Sequence, residues 1–231
     1  YAVLIPVRRG FVSVEPLLQA TYADLAGDAR AAVGYLGARP DVRSDAIALV
    51  GQGDDAPAAL LAAAESASPI PLILLEPAVL PGREVFRLEQ RGQAARGRAG
   101  AAALEALDRY VDEIADIAMS DDPLWRDRLR FDAEATLGRL HAPVLVIVGA
   151  NPLDVPLDAY VEAVRRGLSN VDTADRGVCV LEARPRHAFA EPVVTTVAEW
   201  LLGRVGPARE RGAAPSGPPR ALIISAEPCV S

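Results

Sequence analysis

Lysine is absent from the 231 residues, so every fixed side-chain cation is one of 24 arginines. These are scattered among 31 acidic residues, leaving a net charge of -7, and the intermixing reads as solvated surface. An acidic balance argues against a nucleic-acid binder, which needs a basic face to displace counterions. Cysteine is equally scarce. Cys179 lies in the apolar run Val178-Cys179-Val180-Leu181 and Cys229 in a Pro-rich stretch, with no partner at metal-ligand spacing. They read as one buried thiol and one tail thiol, which excludes a disulfide framework and offers no metal site. No run approaches the roughly 18 apolar residues that a membrane-spanning helix needs. No secretory leader is visible either, and the expectation is a cytoplasmic protein. Histidine is limited to His141 and His187. What is abundant is apolar: hydrophobic residues make up 51% of the chain, much of it alanine. That composition is globular, and the length suits one domain with ample core.

Strand and helix patterns alternate along most of the chain. Tyr1 to Val7 is a short apolar run ending at Arg8-Arg9-Gly10, and it predicts a buried strand. Thr21-Tyr22-Ala23-Asp24 predicts a capping box, with Leu25, Ala29, Val33 and Leu36 at helical spacing until Pro40. Ala46 to Val50 predicts a second strand, and the turn Gly51-Gln52-Gly53 leads into an Ala/Leu-rich helix reaching Glu65. Ile70 to Leu75, Pro143 to Val148 and Val178 to Leu181 predict further strands. Helices are expected over Asp158 to Leu168 and about Val193 to Leu202. Such alternation implies a mostly parallel sheet with helices on both faces. It is interrupted at about 83–132, a helical stretch with Leu104, Leu107, Val111 and Ile114 as one apolar stripe, which reads as a small cap inserted above the strand ends. Residues 206–231 turn to Pro, Gly, Ala and Arg and suggest a disordered tail, with Ala221-Leu222-Ile223-Ile224 as a brief apolar island.

The order of these parts resembles the α/β-hydrolase superfamily, in particular serine hydrolases of the dienelactone-hydrolase and prolyl-oligopeptidase kind. Three passages carry the likeness. The first is Arg9-Gly10-Phe11 after a strand, with Tyr22-Ala23-Asp24-Leu25 opening a helix and Ala38-Arg39-Pro40-Asp41-Val42 beyond it. The second is Ile47-Ala48-Leu49-Val50-Gly51, like the strand and first glycine of a nucleophile elbow. The third is Ala142-Pro143-Val144-Leu145-Val146-Ile147-Val148-Gly149, followed by Val155-Pro156, His187 and the helix holding Trp200-Leu201-Leu202. The resemblance spans 1–205. It implies an α/β-hydrolase fold whose first strands, and the loop giving half the oxyanion hole, lie upstream of Tyr1.

The chemistry implied by the family is incomplete here. A serine hydrolase sets its nucleophile on a strained turn, G-x-S-x-G, too tight for large neighbours. The matching turn reads Gly51-Gln52-Gly53-Asp54-Asp55, so Gly53 stands at the nucleophile position and Asp55 at the second glycine. Glycine has no group to attack with, and losing such a nucleophile costs on the order of a million-fold in turnover. The family's acid would follow Gly149 in a G-x-x-D pattern, but the matching residue is Pro152, which cannot accept a hydrogen bond from an imidazole. Asp154, two residues on, is a displaced acid only if the loop is rebuilt; a surface carboxylate is the simpler meaning. His187 matches the general base, yet without Ser and Asp partners it has no triad to serve. Asp54 is the alternative nucleophile, by analogy with the aspartate elbows of dehalogenases and epoxide hydrolases, but it comes one residue late.

A different class also fits the turn. Gly51-x-Gly53-x-x-Ala56 matches a dinucleotide fingerprint between strand and helix, with Glu76 near the place of the ribose-binding acid. Asp54 and Asp55 weigh against it, because they would repel a pyrophosphate at the helix N-terminus. The expectation is therefore a degenerate hydrolase in which Gly51, Gln52, Gly53 and Asp54 line a pocket. Its partner would be a small, partly apolar ligand or ester-like substrate. No cofactor, nucleic acid or membrane span is expected, and the alternatives are dinucleotide binding or an enzyme repurposed around Asp54 or His187.

Overall fold

The computed structural model describes residues 3–6, 9, 17, 19–77, 80–148, 157–169, 171, 175–180, 190–205 and 224–225. Among these residues five strands form one parallel sheet: β1 (Leu49–Gln52), β2 (Leu72–Leu75), β3 (Val144–Val148), β4 (Arg176–Val180) and β5 (Ile224–Ser225), side by side in chain order. Prolines set where its ladder begins. Pro71 has no amide hydrogen to extend the pairing, so β2 opens at Leu72 instead of Ile70. Its carbonyl still accepts from Leu49 N at 2.9 Å, and Pro143 O accepts from Leu72 N at 2.9 Å. The expected strand over 46–50 starts only at Leu49, opposite Leu72, and runs on through Gly51 and Gln52 opposite Leu74 and Leu75.

The helices are α1 (Tyr22–Gly37), α2 (Ala56–Ala64), α3 (Gly82–Arg96), α4 (Ala101–Asp121), α5 (Pro123–Arg130), α6 (Ala133–Leu137), α7 (Leu157–Ser169) and α8 (Ala190–Val205). The capping box forms as expected: Asp24 N donates to Thr21 Oγ1 at 3.1 Å, and Thr21 N donates to Asp24 Oδ2 at 2.8 Å. Helix α1 then buries Tyr22, Leu25 and Ala26, its first turn packing around Ala58 of α2. Alternation along the central strands splits the core. Leu72, Leu74, Val144, Val146 and Val148 face α2, α6 and α7, whereas Ile73, Leu145 and Ile147 face Val193 of α8. Both faces are covered there, which is why β3 reads as an unbroken apolar run.

Helices α3 to α6 lie in sequence between β2 and β3. Helices α3 and α4 pair side by side through Phe86, Val111 and Ala115, joined by Trp125 and Leu129 of α5. Their outer rims carry matched charges every fourth residue. Arg83 pairs with Asp116, Arg87 with Asp112 at 3.1 Å, and Arg91 with Asp108. Each pair is exposed and contributes little alone, but together they favour one register of the hairpin.

Three expectations differ from the structure. Residues 3–6 form no strand, and Val3 and Ile5 are 81% and 83% exposed. Their apolar, β-branched composition supplies propensity, but a strand needs a ladder partner and none of the described residues pairs with them. The α4 stripe is also rotated: Val111 and Ala115 turn inward, whereas Ile114 faces solvent. Finally, Ile224 and Ser225, within the stretch expected to be disordered, pair with Val178 and Cys179 as β5.

Candidate functional site

The chain leaves β1, makes a single 3-10 turn over Gly53–Asp55 and enters α2. This path brings helix and strand very close. A Cβ on Gly51 would lie 2.6 Å from Ala59 Cβ and 2.9 Å from Ala56 Cα, so glycine is required at the base of the turn. Gly53 is different. Its φ of +51 is left-handed, while Gln52 before it is extended (φ -126, ψ 134), and a Cβ built on Gly53 would meet nothing within 4 Å. The left-handed position therefore falls on Gly53 itself, with room above it for the side chain it lacks.

Four of the residues singled out from sequence, Gly51, Gln52, Gly53 and Asp54, come together on this turn. Gln52 is exposed, and the Asp54 side chain is 73% exposed. Asp55 precedes the first residue of α2 without a side-chain capping bond, so with Asp54 it adds negative charge at the helix entrance. Asp154 and His187 lie outside the described residues, as do Gly149 and Pro152. His141 sits exposed between α6 and β3. Among the described residues no group of three or more His, Cys, Asp or Glu is placed to hold a metal ion. No helix among them is long and apolar enough to cross a membrane.

Sequence reasoning missed the residues that join the helical excursion to the turn. Arg128, near the end of α5, donates from Nη2 to Glu89 Oε1 of α3 at 2.6 Å and stands 3.7 Å from Asp54 Oδ1. Its guanidinium lies 4.8 Å from the centre of the Trp125 ring, a cation–π distance. Beside it Tyr22 is buried, its ring edge-on to Phe131 at 5.3 Å and its N–H donating to Asp127 Oδ2 at 2.9 Å. Burial pushes the Tyr22 phenol up to about 12, with Arg128 opposing. The spacing of Trp125 and Arg128, three apart on one helix, foreshadows their contact. Nothing local foreshadows Glu89 or Asp54.

Glu89 reports on this junction through pH. Burial raises its carboxyl above the ordinary value, Arg128 opposes the rise and Asp54 adds to it. A raised carboxyl binds its proton more tightly folded than unfolded. Its contribution is therefore fully present below the ordinary carboxylate pKa and is lost as pH climbs through the raised value. Glu89→Gln has no such proton to lose. The thermal midpoint of the native protein, less that of Glu89→Gln, is expected to fall as pH climbs above the ordinary carboxylate pKa and through the raised one. Parallel curves would show that burial does not shift Glu89.

No protein-family model and no curated protein matches this chain. Solved structures do. An esterase of Pyrococcus furiosus superposes with a TM-score of 0.54 at 15% identity, over 78% of this chain and 62% of that one. The α/β hydrolase GrgF of Penicillium sp. sh18 gives 0.55 at 14% identity, over 84% and 75%. A monoacylglycerol lipase of Paleococcus ferrophilus gives 0.50 at 18% identity, over 80% and 77%. The chain thus spans less than two thirds of the Pyrococcus esterase and about three quarters of the other two. At these identities the likeness concerns the fold.

Proposed function

We propose that this chain, which has the α/β-hydrolase fold, binds a small, partly apolar acyl ligand and does not perform serine-based ester hydrolysis. The observation that carries the reading is Gly53. The left-handed residue of the turn, where the fold's hydrolases set their nucleophile, is intact in backbone and empty in side chain. A left-handed φ costs a side-chain-bearing residue about 1–3 kcal/mol, which nucleophilic enzymes tolerate for the exposure it gives the attacking atom. Here glycine removes the strain and the atom together.

What remains is suited to holding an acyl group. The Asp54 amide, following the nucleophile position, is the donor that an acyl oxygen would meet. In this reading α3 to α5 act as a cap over the turn, tethered there by Arg128. The esterase and the lipase of similar fold make an ester-like ligand the natural first class to try. A dinucleotide reading has Asp54 and Asp55 against it at the α2 entrance. It would require NAD or NADP to raise the thermal midpoint, and Gly53→Val to abolish that rise.

The test is hydrolysis of p-nitrophenyl butyrate, with intact mass recorded after fluorophosphonate treatment and His187→Ala as control. The expected result is no covalent adduct and no rate above the control. An adduct, or turnover that His187→Ala abolishes, would overturn the binding reading and point to a displaced nucleophile, Asp54 being the first to examine.

A further inference from the structure

A second left-handed residue stands beside Gly53. Glu76, at the end of β2, has φ +49, a conformation that glycine adopts freely and glutamate rarely. Parallel pairing of Gln52 with Leu75 places Gly53 and Glu76 next in line on adjacent strands. Both lie at the carboxyl edge of the sheet, where ligands of open α/β sheets bind. The backbone around Glu76 is held on two sides. Its N–H donates to Ile147 O at 2.8 Å, and the carbonyl of Pro77 accepts from the hydroxyl of the buried Tyr160. Glu76 is half-buried with its charge felt by the Tyr160 phenol, and among the described residues no cation pairs with it and no donor hydrogen-bonds its carboxylate. Arg128, the cation of the junction, pairs with Glu89 and Asp54 instead. A half-buried carboxylate that no described side chain pairs with, held in a conformation that glycine would occupy without strain, is open to a donor supplied by a ligand.

We propose that Glu76 is the polar anchor of the acyl site: its carboxylate accepts a hydrogen bond from an N–H of the bound ligand, so the site prefers a secondary acyl amide to the corresponding ester. The inference rests on the acyl-binding reading. A ligand seated over Gly53 displaces water from Glu76. An amide N–H restores the lost bond, whereas an ester oxygen leaves the carboxylate unpaired, and sites that offer a polar partner reject analogues lacking the matching group on this ground.

Calorimetric titration of the whole chain with N-butylbutyramide and with butyl butyrate tests it, since the two differ at the N–H. The native protein is expected to bind the amide about tenfold more tightly. Glu76→Gly suits the left-handed backbone and should melt no lower than the native protein, yet bind both compounds alike. Glu76→Gln keeps an acceptor oxygen and should keep part of the preference. Equal binding of the two by the native protein, or a preference that survives in Glu76→Gly, overturns the anchor and leaves acyl binding standing. Binding of neither compound overturns the acyl-binding reading, and the anchor with it.

Discussion

Gly51→Val is expected to destabilise the fold by about 3 kcal/mol or more, lowering the thermal midpoint by roughly 6–12 °C for a chain of this size. The cost arises because the nearest atoms to an added Cβ, Ala59 Cβ at 2.6 Å and Ala56 Cα at 2.9 Å, belong to the helix itself rather than to the tip of a flexible side chain. Relief requires α2 to move as a body. It cannot do so freely, because Ala58 packs under Tyr22 and Leu25 of α1 while Ala56, Ala59, Leu60 and Ala63 pack on the sheet side. Gly53→Ala, two residues on, meets nothing within 4 Å and faces only the left-handed backbone penalty, about 1–2 kcal/mol. Thermal unfolding followed by circular dichroism compares the two. Equal midpoints would show that the approach of α2 to β1 is looser than the structure has it.

Local chemistry decided how much of this was legible in the sequence. Thr21 and Asp24 satisfy each other's backbone within one turn, so the capping box announces itself without tertiary information. The run Val144–Val148 is equally plain, because a strand covered on both faces has no polar positions to blur it. Gly51 and Gly53 were legible as a pair but not in their separate roles, which depend on where α2 packs and which residue turns left-handed. Signals that need a distant partner failed. Residues 3–6 have strand composition but no strand partner among the described residues, and Val50 at the open edge of β1 is 52% exposed. On α4, counting in steps of three and four put Ile114 on the stripe, but packing against Phe86 and Trp125 selected Val111 and Ala115. The junction at Arg128 was invisible for the same reason: Asp54, Glu89 and Arg128 come from the turn, α3 and α5.

That junction carries the other large effect. Arg128→Ala is expected to cost about 2 kcal/mol, between the worth of an exposed ion pair and that of a fully buried one. Both partners lie between those limits, with side chains 24% and 22% exposed. The loss has three parts. Glu89, already raised by burial, loses the cation that opposes the rise, so its carboxyl climbs further. Trp125 loses the guanidinium over its ring, and Asp54 loses its tie to α5. Only the first part depends on Glu89. In a double-mutant cycle with Glu89→Gln the two changes should therefore fall short of additive by about 1 kcal/mol. Limited proteolysis gives the spatial readout. With the tie between α5 and the turn cut, cleavage within 82–130 should quicken before the sheet unfolds, because local opening of the excursion then costs less than global unfolding. If cleavage keeps pace with global unfolding instead, Arg128 stabilises the domain without hinging the excursion, and the role assigned to α3–α5 as a tethered cap falls.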